Sequence, residues 1–211
     1  MLKIDIHTHA FLPKKFRPAL DKMDEEQSII WRRLDTPGHE SARVYSDGDG
    51  WYLDGAAIFL YEKQPCRLEY LIQCDPDWQT AFVSVDGWLG DEIIELEIEV
   101  NQGDVWNLNG DEIAAVEGCI DIDLNFSPVT NILPIRRLNL AIGESKPVRA
   151  AWLRFPSFKL EALDQVYTRI DETSVRYESG GGRFVAELKI NEAGLVTNYP
   201  DFWTIESEPP A

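Results

Sequence analysis

The sequence predicts a predominantly antiparallel β protein with one buried helix. Two observations carry this. Apolar and polar residues alternate in run after run, and turn signals rich in Gly, Pro, Asn and Asp separate those runs at short spacing. A third observation places the helix: residues 128–138 are apolar almost all round, which suits a segment buried on every side.

From residue 28 onward the chain reads as one strand after another. Residues 29–34 carry Trp31 and stop at Asp35-Thr36-Pro37-Gly38, a turn. Residues 42–46 run into Asp47-Gly48-Asp49-Gly50, a hairpin signal, and residues 51–61 return. In residues 66–74, Leu68, Tyr70 and Ile72 alternate with Arg67, Glu69 and Gln73, and Asp75-Pro76-Asp77 turns the chain into residues 78–85. Ile94, Leu96, Ile98 and Val100 alternate with Glu95, Glu97 and Glu99, a half-buried strand whose outer face is acidic and solvated. Residues 105–108 turn at Asn109-Gly110.

The stretch 118–138 organises the rest. Ile120, Ile122, Leu124 and Phe126 share one strand face, while Asp121, Asp123 and Asn125 share the other. Ser127 is a candidate helix cap with Pro128 in the first turn, and Thr130 or Asn131 a second candidate that places Pro134 in the first turn. Val129, Ile132, Leu133, Ile135 and Leu138 follow, interrupted by Arg136 and Arg137. Two guanidiniums cannot stay unpaired in a core, and the nearest acidic residues are Asp121 and Asp123. Beyond the helix, residues 138–142 and 147–153 flank Gly143 as a hairpin, or the helix continues to Gly143. Residues 159–170, 174–177, 184–190 and 195–199 complete a meander.

Length and composition bound the function. With 211 residues, 44% apolar residues and seven tryptophans, the chain is expected to fold as one domain over residues 27–205, with an extension at 1–26 and a tail at 206–211. A net charge of −17 repels phosphate backbones and anionic membranes, which excludes nucleic acid as a partner. Cys66, Cys74 and Cys119 form neither a CxxC nor an even set, so they are read as small apolar residues in strands. No signal peptide or membrane-spanning run is visible, and the expected location is cytoplasmic.

Residues 1–26 differ in character. Their strand-like opening ends in His7-x-His9 and resembles the first strand of amidohydrolase-type metal enzymes, in which two alternating histidines hold a metal, usually zinc. That architecture is a (β/α)₈ barrel of typically ~250 residues with further ligands on later strands. Only His39 remains here and the helical crossovers are missing, so no metal or cofactor is expected.

Trp31-Arg32-Arg33-Leu34, Pro37-Gly38-His39-Glu40, Trp78-Gln79-Thr80 and Gly118-Cys119-x-Asp121-x-Asp123-Leu124 resemble the putative glycolipid-binding family. So do Pro128-x-Thr130-Asn131-x-Leu133-Pro134-Ile135-Arg136-Arg137-Leu138, Gln165-x-Tyr167 and Tyr199-Pro200. The resemblance covers about residues 28–205. It implies a spiral β-roll, an antiparallel sheet wrapped around one short helix and similar to bacterial lipoprotein-carrier folds. It also implies binding of a glycolipid or other amphipathic small molecule, and a homodimer. On this reading Arg136, Arg137, Asp121, Asp123, Trp31, Gln165 and Tyr167 are the candidate ligand-binding residues.

Two readings of the arginines stay open. In one, an arginine holds the phosphate or carboxylate of an amphipath. In the other, a buried ion pair with Asp121 or Asp123 fixes the helix. The two are compatible, with one arginine for each task. The aromatics are read as a β core or as the wall of a ligand pocket. Asp35, His39 and Glu40 are read as a solvated turn, because no nucleophile or second histidine completes a catalytic set with them. The alternatives to a binding protein are an enzyme acting on a lipid-like substrate, a metal-dependent hydrolase using His7 and His9, or a dimerisation module without a ligand.

Overall fold

The computed structural model describes residues 25–101 and 103–207, so the His7-x-His9 reading and almost all of the expected 1–26 extension fall outside the described residues. The described residues form fifteen strands in one sheet. In chain order the first eight are β1 (Glu25–Arg33), β2 (Gly38–Ser46), β3 (Trp51–Tyr61), β4 (Gln64–Cys74), β5 (Thr80–Leu89), β6 (Glu92–Asn101), β7 (Val105–Leu108) and β8 (Asp111–Glu112). They meander from the middle of the sheet to one edge. A 3-10 turn at Ala114–Val116 leads to β9 (Asp121–Leu124), which forms the opposite edge. The chain then returns through β10 (Ser145–Arg154), β11 (Lys159–Asp171), β12 (Ser174–Ser179), β13 (Phe184–Ile190), β14 (Val196–Tyr199) and β15 (Trp203–Ser207). Pairing of β15 with β1 joins the two halves, with Trp31 opposite Ile205.

Every neighbouring pair is antiparallel except β9 and β10, where Ala150 lies beside Asp121 and Trp152 beside Asp123. A parallel pair needs a crossover, and here the crossover is the helix. It comprises a 3-10 turn, Val129–Asn131, continued by α1 (Ile132–Leu138). Pro134 sits in its first turn, where a missing N–H costs nothing. Asn139 stops it in the left-handed conformation, φ 42°, donating its N–H to the Ile135 carbonyl. Asn tolerates that region better than most residues. Neither expectation for residues 138–143 holds: the helix ends before Gly143, and residues 139–142 form no strand.

The sheet curls without closing into a barrel. Its curl brings the first residue of β5 against the β9 edge, where Thr80 N donates to Ile120 O at 3.2 Å and Ile122 N donates to Thr80 Oγ1 at 3.0 Å. The helix lies in the middle and divides the core in two. Val129, Ile132 and Leu133 enter the larger cluster with Trp31, Leu68 and Val85. Ile135 and Leu138 face the smaller one, built on Tyr167, Tyr177 and Leu188. Burying each large apolar side chain contributes about 1.5–3 kcal/mol. The three cysteines are buried and unlinked, in agreement with their reading as apolar residues.

The acidic face of β6 is solvated as expected: Glu95, Glu97 and Glu99 are exposed. Beside it, burial raises the Asp86 carboxyl, helped by the negative charges of Glu95, Glu69 and Glu97. No described helix is long and apolar enough to cross a membrane.

Candidate functional site

The two arginines of α1 are one residue apart and do different things. Arg137 turns toward β9 and grips Asp121 at both oxygens, Nε to Oδ1 at 2.9 Å and Nη2 to Oδ2 at 2.5 Å. Asp121 is 1% exposed. Burial pushes its carboxyl up, against the hydrogen bonds and charge of Arg137. Two parallel N–H···O bonds to a carboxylate are a strong, directional contact, and this one fixes the helix to the edge strand that precedes it.

Four more of the predicted residues also turn their polar atoms to partners inside the protein. Gln165 Nε2 donates to Asp123 Oδ2 at 2.7 Å. Burial pushes the Asp123 carboxyl up to about 6, with the Gln165 bond opposing. Tyr167 Oη donates to Asn131 Oδ1 at 3.0 Å, tying β11 to the start of the helix. Trp31 is 0% exposed, and its Nε1 donates to the Val196 carbonyl at 2.6 Å. Asp121 and Tyr167 thus hold the helix and its start, Asp123 and Gln165 pair with each other, and Trp31 lies in the larger core.

Arg136 is exposed and forms no ion pair among the described residues. Its guanidinium lies 5.4 Å from the ring centre of Trp78 and 6.0 Å from that of Trp51. The two indoles stack at 4.2 Å with an interplanar angle of 20°. Trp78 has φ 66°, a costly conformation for a bulky residue. The Asp75 turn holds it there: Asp75 Oδ1 accepts from the N–H groups of Asp77 and Gln79, both at 2.9 Å. Gly194 leaves room for the arginine stem, since a Cβ there would stand 3.3 Å from Arg136 Cδ. Arg136 and Trp78 line a cleft of about 450 Å³ together with Arg169, Asn139, Asn191 and Glu172, and Glu192 adds a second carboxylate. The cleft thus holds both donors and acceptors beside the Trp78 indole.

A second polar group was misjudged from the sequence. Asp35 and His39 are exposed as expected, but Glu40 is 1% exposed. It pairs across the ladder with Trp31 and shares the inward parity of Ala42 and Val44. Glu40, Ala42 and Val44 alternate in the sequence as well, and that was the available signal. Glu40 Oε1 accepts from Tyr70 Oη at 2.6 Å and from Ser127 Oγ at 2.5 Å. Ser127 Oγ also accepts from the Val129 N–H at 3.1 Å, but it is not the helix cap expected: Pro128 holds the cap position of the 3-10 turn and Asn131 that of the helix, neither with a side-chain cap bond. Burial pushes the Glu40 carboxyl up to about 7, against the Ser127 and Tyr70 bonds and the charge of Arg33.

Comparison with known proteins places this architecture. The family described as "Putative glycolipid-binding" matches residues 28–204. A solved DUF1089 family protein from Pseudomonas aeruginosa is 27% identical, with a TM-score of 0.65, covering 93% of this chain and 97% of that one. A β-barrel-like protein of the domain of unknown function DUF1849 from Brucella abortus is 10% identical, with a TM-score of 0.55 over 87% of this chain and 96% of that one. The latter likeness is one of fold alone. No curated protein matches the chain. The family match spans nearly all described strands and the helix with both arginines, and the chain belongs to the putative glycolipid-binding family.

Proposed function

We propose that the chain binds the sugar head of a glycolipid, or of a similar amphipathic molecule, in the Arg136 cleft. One observation carries the reading: Arg136 is an exposed guanidinium without an ionic partner among the described residues, set on the Trp51–Trp78 stack at the wall of a 450 Å³ cleft. The cleft chemistry favours a polyhydroxyl head over a bare anion, because Glu172 and Glu192 offset Arg136 and Arg169. Guanidinium and amide groups donate to sugar oxygens, carboxylates accept from sugar hydroxyls, and an indole face packs on ring C–H groups. In this reading Arg137, Asp121, Asp123, Gln165, Tyr167 and Trp31 support the site by holding the helix and the strands around it. Of the seven candidate residues only Arg136 contacts the ligand.

Native mass spectrometry of protein purified without detergent tests this. A bound mass that extracts as glycolipid, and is lost on Arg136→Ala with unchanged thermal stability, supports it. A bare polypeptide mass in the parent protein, or a lipid that Arg136→Ala retains in full, rejects it.

A further inference from the structure

Among the described residues, Arg33 and Glu40 each leave one buried polar atom without a partner. Glu40 Oε1 takes both hydroxyl bonds, from Tyr70 and Ser127, and Oε2 takes none. Arg33 spends Nε and Nη2 on Asp35, at 2.8 and 3.0 Å, and Nη1 has no partner. Both orphans are buried and their signs are complementary. Arg33 follows Trp31 by two residues on β1, and Trp31 faces Glu40 on β2, so the two side chains share the inner face of the sheet. Phe59 and Trp203 sandwich the guanidinium, at 4.3 and 5.1 Å from its carbon. The pair belongs to the end of β3 that carries Phe59, roughly 20–27 Å along that strand from Trp51 and the Arg136 cleft.

Aromatic rings cluster at that end of the roll. Residues 155–158, between β10 and β11, place Phe155 against Phe59 at 5.3 Å and Tyr61 at 5.0 Å, and Phe158 against Phe155 at 5.6 Å. Phe126 continues the row to Tyr70, whose hydroxyl bonds Glu40. Phe155, Phe158 and Tyr61 are half-buried, so this row links the surface to the orphan pair.

We infer that a hydroxyl group binds between Arg33 Nη1 and Glu40 Oε2, beneath the 155–158 tip. A hydroxyl accepts from the guanidinium N–H and donates to the carboxylate oxygen, satisfying both atoms at once. Charged guests fit worse: an anion meets the Glu40 carboxylate, and a cation meets Arg33. No group of three metal-ligating side chains exists among the described residues. Burial without partners is costly for both atoms, and native proteins fill such gaps with an ordered water or a ligand. The hydroxyl belongs either to a water molecule or to an amphipath whose apolar part lies among Phe59, Phe126 and Phe155.

The test is a crystal structure of the full chain, purified without detergent, at a resolution that shows ordered water. An isolated density peak within hydrogen-bond distance of Arg33 Nη1 and Glu40 Oε2 identifies water. Density continuing from that point past Phe155 identifies an amphipath's hydroxyl. A structure in which both atoms remain without a partner overturns the inference. The Arg136→Ala protein keeps the density between Arg33 and Glu40, because that cleft is at the other end of β3. A failure of the sugar-head reading therefore leaves this result standing, and the reverse holds too.

Discussion

Arg137 and Asp121 form a two-point ion pair that ties the helix to β9, the strand from which the chain enters the crossover. The carboxylate is almost fully buried, so its only affordable state is the paired one. Replacing Arg137 with Ala is expected to cost about 3–5 kcal/mol by leaving a buried charge unpaired. Urea unfolding reads the loss as a lower midpoint. The double replacement Asp121→Leu with Arg137→Met removes both charges and recovers most of that stability; a double variant as unstable as the single one contradicts the account.

Arg136 behaves oppositely in the same assay. It is exposed and contributes through stacking on Trp78, so Arg136→Ala shifts stability by no more than about 0.5–1 kcal/mol. Its effect appears in ligand retention. A large drop in unfolding midpoint would show that the cleft arginine is structural.

Glu40 makes stability depend on pH with a definite sign. Its ordinary value is 4.5 and the fold raises it to about 7, through burial first. The folded state therefore holds the proton more tightly than the unfolded chain does. This contribution is complete below about pH 4.5 and is lost as pH rises through about 7. The groups facing the carboxyl are Tyr70, Ser127 and Arg33, and of these only Arg33 carries charge in this range. Glu40→Gln removes the dependence, so the stability of the parent relative to the variant falls by up to about 3 kcal/mol between pH 4 and 8. Paired denaturation curves at the two pH values measure it. A constant difference, or a parent that gains on the variant at pH 8, is incompatible with a raised carboxyl.

Gly55 tests the packing around the same carboxyl. A Cβ there would come within 2.3 Å of Tyr70 Oη, so Gly55→Ala must move the ring that bonds Glu40. Overpacking of this kind costs about 1–3 kcal/mol. Thermal unfolding of the variant should show it, and an unchanged midpoint would mean that Tyr70 has room to shift.

Much of this architecture was legible locally. The acidic outer face of β6, the Asp47–Gly50 hairpin and the apolar helix with Pro134 in its first turn each follow from periodicity or turn chemistry within a dozen residues. The end of the helix was not legible. Leu140 and Ile142 suit a strand as well as a helix, and the left-handed turn at Asn139 decided between them. Glu40 was misread because its neighbours Pro37, Gly38 and His39 look like a solvated turn. Strand β2 begins at Gly38, so the ladder to β1 sets its facing.

By itself, then, the sequence determined the elements: alternation specifies strands, an all-round apolar segment specifies a buried helix, and two arginines within it demand partners. It could not say which arginine is paired. Neighbouring helix positions point about 100° apart, so one of them faces β9 and the other the Trp51–Trp78 stack, and only the packing of the helix in the rolled sheet selects which. The same holds for Arg33 and Glu40. Their shared facing depends on the register of β1 against β2, and their surroundings on distant residues, Ser127 at Glu40 and Trp203 at Arg33. Local physics chooses conformation, whereas burial and pairing are properties of surfaces brought together by the whole fold.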